Sequence, residues 1–252
     1  MSAQPGVMRP ATAGRALAQA VRDLARVVVP VACPGCSEPD VRLCGACAAA
    51  WHEPPVRVET CAPRLDIEGR AGLPVWSIAA HDGPVAGVVG SWKDGARRDL
   101  DGWLATSMTR ACRVVGAELA AAGVRSVAVV PAPARAASTR RRGVDLPWIL
   151  ARGAAAGLRQ SGLQAQVVRA LRIGAGESRG SSARGRWRDA SRSVTCRVAP
   201  AHAVLLVDDV LTTGATLAAC AGALEGRGGS AIGAVTATFV DTGRADPARG
   251  LG

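Results

Sequence analysis

Residues 204 to 217, VLLVDDVLTTGATL, constrain the fold more than any other part of this sequence. The segment begins with four apolar residues, which are typical of a buried strand, and these meet the adjacent carboxylates of Asp208 and Asp209. A small hydroxyl-rich loop follows, and a helical pattern then covers 215 to 226. In open α/β sheets, ligands bind where a strand ends in a loop that begins a helix. The segment therefore predicts an α/β fold with a ligand site at this strand end.

Strand and helix patterns alternate along most of the chain. Short apolar runs predict four strands: SVAVVPAP, LQAQVVRAL, AVLLVDDV and SAIGAVTATFV. Helical patterns cover 97 to 122 and 144 to 160. This alternation predicts a mainly parallel sheet flanked by helices. A Pro-rich stretch at 53 to 75 predicts an irregular linker, and a Gly-, Ser- and Arg-rich stretch at 173 to 193 predicts a long exposed loop.

Two C-x-x-C pairs lie near the N-terminus, with seven residues between them. Their members are Cys33, Cys36, Cys44 and Cys47. In a reducing compartment, four thiolates in a closed tetrahedron suit structural zinc, and such a centre has no open position for catalysis. Two disulfides or free thiols are the alternative. These features divide the chain into an N-terminal tail and helix at 1–30, a zinc-binding module at 31–62, an α/β domain at 75–243 and a disordered tail at 244–252.

Composition narrows the class of protein. The 252 residues are 48% hydrophobic, so a sizeable core can form. No stretch approaches the roughly 20 apolar residues of a membrane span, and we expect a cytoplasmic protein. The net charge of +11 favours polyanionic partners, although an ordinary solvated surface accounts for it equally well. The Arg-rich segment from 169 to 197 contains Trp187, and it suits either single-stranded DNA or a lid over an active site.

The loop after the two aspartates has the chemistry of a phosphate cradle. Amides at the start of the helix, together with the hydroxyls of Thr212, Thr213 and Thr216, can hold one phosphate. Gly214 lets the backbone approach closely, and the loop lacks the G-x-x-x-x-G-K pattern of a triphosphate site. Paired carboxylates beside a phosphate suit a sugar diol or a bridging metal ion, so a phosphorylated ribose satisfies both halves. The alternative is an aspartate pair that only caps the helix.

The segment VLLVDDVLTTGATL closely resembles the phosphoribosyl diphosphate (PRPP) motif of type I phosphoribosyltransferases. With the cysteine pairs ahead of it, the chain resembles the ComF family, which is named for a competence protein of bacterial DNA uptake and includes GntX-like members. The segments HDGPVAGVVGSWKDGARRDL and VVPAPARAASTRRRG also resemble family segments, and the likeness covers roughly residues 20 to 240. It implies a phosphoribosyltransferase fold and a glycosyltransferase activity toward an acceptor that the sequence does not name. It also implies other competence proteins as partners.

The resemblance implies a role for each matching position. Asp208 and Asp209 would contact the ribose hydroxyls of PRPP, directly or through Mg²⁺, and would stabilise an oxocarbenium-like transition state. The segment from Pro131 to Arg135 would face the pyrophosphate. The 5′-phosphate would be held by Thr212, Thr213, Gly214, Ala215 and Thr216.

Two segments depart from the family pattern. The usual Arg-Gly-Phe-Asn-Gln is Arg-Gly-Val-Asp-Leu here, with Asp145 in place of the Asn. The Gln, Arg and Asn of the long loop correspond to Ser178, Arg186 and Asp189. An amide is thereby replaced twice by a carboxylate, so we expect PRPP binding without rapid turnover. The alternatives are a non-catalytic scaffold of DNA uptake that binds nucleic acid or a partner, and a regulator that senses PRPP.

Overall fold

The computed structural model describes residues 31–70, 72–95, 97–134, 139–140, 143–173, 194–198, 200 and 203–241. The predicted tails at 1–30 and 244–252 lie outside these residues. Residues 174 to 193 of the predicted exposed loop also lie outside the described residues, as does Arg135.

A mainly parallel sheet forms the centre of the fold. The strands are β1 (Val56–Arg57), β2 (Val75–Ala80), β3 (Ser126–Pro131), β4 (Gln164–Val167), β5 (Leu171–Ile173), β6 (Val194–Cys196), β7 (Ala203–Leu211) and β8 (Ala231–Phe239). Six of them form one sheet in the order β1-β2-β8-β7-β3-β4, in which only the β1–β2 pair is antiparallel. Strands β5 and β6 form a separate antiparallel pair, so the predicted strand LQAQVVRAL is divided between β4 and β5. The predicted α/β class with a mainly parallel sheet is confirmed.

Helices cover both faces of the sheet. They are α1 (Gly45–Ala49), α2 (Pro63–Ile67), α3 (Gly83–Lys93), α4 (Asp101–Ala121), α5 (Leu146–Gln160) and α6 (Ala215–Glu225). Because strand residues alternate between faces, Val207 joins the core under α3, α4 and α5, whereas Leu206 joins the core under α6. Within the described ranges, no helix has an apolar stretch that could cross a bilayer.

The segment from 53 to 75 differs from the predicted irregular linker. It contains β1, a 3₁₀ turn at Glu59–Cys61 and α2. Ala62 and Leu65 are buried in the core under α6. The prolines and the short elements leave no long apolar periodicity, which is why the sequence pattern did not predict them. This segment supports the loop that precedes α6.

Candidate functional site

The adjacent aspartates lie near the carboxyl end of β7 and differ in their surroundings. Successive strand residues point to opposite faces, so Asp208 shares the α6 side with Leu206 and Asp209 shares the α3 side with Val207. On that side, Oδ2 of Asp209 forms an ion pair with Nζ of Lys93 at 2.9 Å. The backbone amide of Asp209 donates a hydrogen bond to Oδ1 of Asp208 at 2.8 Å. Asp209 is therefore in direct contact with a cation, whereas Asp208 forms no ion pair with any of the described residues.

Asp208 lies in a polar row that crosses the sheet interior. Thr236 of β8 is in register with Asp208 and with Ser77 of β2. The hydroxyl oxygens of Thr236 and Ser77 are buried and have no hydrogen-bond partner among the described residues. Burial raises the pKa of Asp208 to about 7, and the charge of Asp209 adds to this rise. A cation at this edge would favour the charged form of Asp208.

Two basic residues that sequence analysis assigned to no site border Asp209. Lys93 ends α3, and His81 follows β2. The Nδ1 atom of His81 lies 3.0 Å from Oγ1 of Thr238 on β8. Burial lowers the pKa of His81, the charge of Lys93 lowers it further, and Asp209 opposes both effects. One sequence signal could have identified Lys93, because it is the only lysine among the 31 Lys and Arg residues of the chain.

The backbone of the loop after β7 is held by the segment around α2. Gly214 has φ of 79°, in the left-handed region that favours glycine. A Cβ at this position would lie 2.8 Å from Cβ of Ala62, so space as well as conformation demands glycine. The amide of Arg64 donates to the carbonyl of Thr213 at 2.9 Å. These contacts fix the direction in which α6 begins.

The same loop presents donors to solvent at the start of α6. Thr212, Thr213 and Thr216 are exposed. The first intrahelical hydrogen bond joins the amide of Ala218 to the carbonyl of Gly214 at 2.9 Å, so the amides before it in the first turn have no intrahelical acceptor. Hydroxyls and first-turn amides of this kind can bind one phosphate-sized anion.

The predicted pyrophosphate segment begins at the same edge of the sheet. Pro131 ends β3 in register with Val207 of β7, and the amide of Ala132 donates to the carbonyl of Val207 at 2.8 Å. This pairing places Pro131 close to the aspartates in the neighbouring strand. Arg135, the other predicted residue of this segment, lies outside the described residues.

Asp145, one of the departures from the family pattern, has a structural role. Its Oδ1 accepts a hydrogen bond from the amide of Trp148 at 3.3 Å and thereby caps α5. Its Oδ2 lies 2.7 Å from Nη1 of Arg169, whose guanidinium carbon lies 4.0 Å from the centroid of the Trp148 ring. The carboxylate at this position therefore positions the helix. The other departures, Ser178 and Asp189, lie outside the described residues, as does Arg186.

The four cysteines predicted to bind zinc converge in the structure. The Sγ atoms of Cys33, Cys36, Cys44 and Cys47 all lie within 4.8 Å of one another. Sγ of Cys44 lies 3.7 Å from those of both Cys33 and Cys36, close to the edge of about 3.8 Å that a tetrahedron with Zn–S bonds of about 2.3 Å requires. No disulfide joins these four cysteines in the structure. The cluster can hold a metal ion and is compatible with structural zinc.

The electrostatics of the cysteine cluster also suit a cation. Burial raises the pKa of Cys33, but hydrogen bonds from the amides of Cys44, Cys36 and Gly35 outweigh it and bring the pKa to about 6. Burial and the neighbouring sulfur atoms raise the pKa of Cys47. One thiolate forms readily, and a metal ion would favour the charged form of the others.

Contacts with α3 and the turn after it fix the cysteine cluster to the α/β domain. A Cβ on Gly87 would lie 2.5 Å from the carbonyl oxygen of Pro34, so the first C-x-x-C pair packs directly on α3. Arg97 donates to the carbonyls of Ala32 and Arg42, both at 2.9 Å, while its guanidinium also binds Asp99. Helix α3 thus contacts the segment of the cluster at Gly87 and ends at Lys93, beside Asp209.

Comparison with known protein families and with curated protein sequences finds no match to this chain.

Proposed function

We propose that this chain is a ComF-like member of the type I phosphoribosyltransferase class that binds PRPP with Mg²⁺ at residues 208 to 216. The observation that carries the proposal is the meeting of a carboxylate pair with an anion cradle at one edge of a parallel sheet. The carboxylates suit the ribose diol and a divalent cation, and the cradle suits a terminal phosphate. A ribose phosphate is one ligand that carries both a diol and a terminal phosphate.

The proposed roles follow from the contacts of each residue. First-turn amides and the hydroxyls of Thr212, Thr213 and Thr216 hold the 5′-phosphate, together with the backbone of Gly214 and Ala215. The two aspartates hold the ribose hydroxyls, and Pro131 begins the segment that faces the pyrophosphate. Mg²⁺, when bound, supplies positive charge beside the diphosphate.

Phosphoribosyl transfer requires charge stabilisation more than proton transfer. Its transition state is oxocarbenium-like, and in the proposed complex the carboxylates of Asp208 and Asp209 would stabilise positive charge on the sugar. None of the described residues indicates which nucleobase would accept the phosphoribosyl group. We therefore propose a protein that binds PRPP and turns it over slowly, in the cytoplasm, with structural zinc in its cysteine cluster and competence proteins as partners in DNA uptake.

Titration of PRPP into Thr213→Val in the presence of Mg²⁺ tests the cradle. Loss of the hydroxyl should weaken binding by roughly 1–3 kcal/mol, the range for one hydrogen bond to a charged group. Thr106→Val is a matched control, because Thr106 is also exposed but its hydroxyl donates to Gly102 within α4, away from the site. The control should bind as tightly as the wild type. Equal affinity of all three proteins would show that the hydroxyl of Thr213 does not contact the ligand.

A second candidate function, binding of single-stranded nucleic acid by a non-catalytic scaffold, is favoured by a cavity that contains two exposed arginines. A cavity of about 800 Å³ opens between α4 and α5, and its lining includes Arg152, Arg159 and Trp148. Both arginines are exposed. Arginines that contact phosphates, with an aromatic ring beside them, are typical of sites for single strands.

Replacing both Arg152 and Arg159 with Ala should separate the two functions. If the cavity binds a single strand, the variant should bind a fluorescent oligonucleotide more weakly, and the slope of log affinity against log salt should fall by about two. Arg227→Ala, at an exposed arginine beyond α6, is the control and should change little. Salt-independent binding, or equal loss in the control, would contradict a nucleic-acid site in this cavity.

A further inference from the structure

Lys93 is unusual among the cations of this chain. It is the only lysine in a sequence that otherwise uses arginine for its 31 Lys and Arg residues. Other ion pairs of the described residues use arginine, for example Arg70–Glu225 and Arg97–Asp99. The one lysine lies 2.9 Å from Oδ2 of Asp209, a predicted ligand-binding carboxylate. The only lysine of the sequence therefore lies at the proposed site.

The chemistry of lysine differs from that of arginine in a way that matters at this position. Arginine holds a carboxylate with a rigid, planar fork of donors, whereas lysine is a compact point charge on a flexible stem. The Lys93 and Asp209 side chains are 26% and 15% exposed, so the ammonium can leave Asp209 without crossing a packed core. A lysine contact of this kind is easier to exchange than a bidentate arginine contact.

The ammonium and a divalent cation compete for the carboxylate of Asp209, because two cations held against one carboxylate repel each other. A magnesium ion lies about 2.0–2.1 Å from its oxygen ligands, and the ammonium already lies against Oδ2 of Asp209. Asp208 has no compensating cation in direct contact among the described residues, and its neighbours Thr236 and Ser77 offer unpaired hydroxyls. A divalent cation that binds the carboxylate of Asp209 therefore has to compete with Lys93 for it.

We propose that Lys93 is a tethered cation that occupies Asp209 until a divalent metal ion displaces it, and that it then neutralises the anionic ligand. This inference rests on the proposed PRPP site. It makes metal and ligand binding interdependent, because Lys93 opposes the metal ion alone and assists the metal ion together with a diphosphate. Lys93→Met should accordingly bind Mg²⁺ alone more tightly, by up to about fivefold, the range for loss of one partly exposed ion pair, and PRPP more weakly.

Lys93→Arg distinguishes local competition from a general effect of charge. The guanidinium keeps the positive charge, so a long-range electrostatic effect would leave Mg²⁺ affinity at the wild-type value. Direct competition predicts weaker Mg²⁺ binding, because the fork of Arg holds the carboxylate more firmly.

The single lysine also provides a direct reporter of displacement. Reductive methylation with ¹³C-formaldehyde keeps the positive charge and labels Lys93 and the N-terminal amine, and the Lys93 signal is the one that Lys93→Met lacks. Its chemical shift should move on titration with Mg²⁺ and saturate together with the heat of Mg²⁺ binding. In Asp209→Asn the signal should start at the released position and not respond.

Two results would overturn the role of Lys93. The first is Mg²⁺ binding with no change in the Lys93 signal, and the second is equal Mg²⁺ affinity in wild type, Lys93→Met and Lys93→Arg. Absence of Mg²⁺ binding in every variant would also overturn it. PRPP binding by the wild type in the presence of Mg²⁺ would then still support the proposed function, so the two failures are distinguishable.

Discussion

Cys36→Ser is expected to lose the zinc of the cysteine cluster and to unfold the segment from 31 to 52. The wild type, purified without added metal, should contain one zinc per chain. Metal binding and folding are coupled in small modules, and structural zinc contributes about 10–16 kcal/mol of binding energy in isolated zinc-finger peptides. Cys36 is the exposed member of the cluster, so its replacement removes a ligand without opening a cavity in the core.

Elemental analysis and hydrogen exchange together measure this effect. Amides of residues 31–52 should lose protection from exchange in Cys36→Ser. Protection of the α3 amides should also fall, because Gly87 and Arg97 lose their contacts with the cluster. Cys61→Ser is a suitable control, because Cys61 is a free thiol outside the cluster. Full zinc content in Cys36→Ser, or protection equal to that of the control, would contradict the assignment.

Asp208→Asn is expected to stabilise the fold by as much as about 4 kcal/mol above pH 7, and to have little effect near pH 4. The pKa of Asp208 is about 7 in the folded protein, against an ordinary value of about 3.9, and each pKa unit corresponds to about 1.4 kcal/mol. Between about pH 4 and pH 7, the folded state therefore binds more protons than the unfolded state. The free energy of unfolding therefore falls as pH rises from about 4 to 7 and is not lowered further by this group above pH 7. Asn carries no charge and removes this penalty.

Denaturant unfolding at pH 5 and pH 8, without divalent cations, measures the difference. The gain from Asp208→Asn should be larger at pH 8 than at pH 5. Asp82→Asn removes a charge from an exposed position near the same edge and should change stability little at either pH. A pH-independent effect of Asp208→Asn, or destabilisation at pH 8, would show that Asp208 is charged and compensated in the free protein.

Local patterns predicted the centre of the fold and the main part of the candidate site. The apolar runs that became β3, β7 and β8 are bounded by polar or turn residues, and Pro147 lies in the first turn of α5, where proline is tolerated. The two aspartates and the Thr-rich loop are contiguous, so their neighbourhood follows from the chain itself. The cysteine cluster was also predictable, since the spacing of the two pairs alone indicates a tetrahedral centre.

Contacts between distant segments were not predictable in the same way. Lys93 and Asp209 are far apart in sequence, and no periodicity indicates that α3 ends beside β7. Helix α3 itself is rich in Gly and Val, which are weak helix formers, and it depends on burial of Val88, Val89 and Trp92 in the core. Tertiary packing, rather than local propensity, therefore places the one lysine at the proposed site.

Isothermal titration of PRPP into the wild type and Asp209→Asn, with and without Mg²⁺, tests the proposed function most directly. A PRPP site at these residues predicts saturable binding by the wild type that depends on Mg²⁺, and binding at least about tenfold weaker in Asp209→Asn, the loss expected when a charged ligand contact is removed. Asp209→Asn should remain folded, because the carboxylate is only partly buried at the sheet edge. No binding heat with the wild type at millimolar PRPP and Mg²⁺, or equal affinity in the folded variant, would contradict a PRPP site at residues 208 to 216.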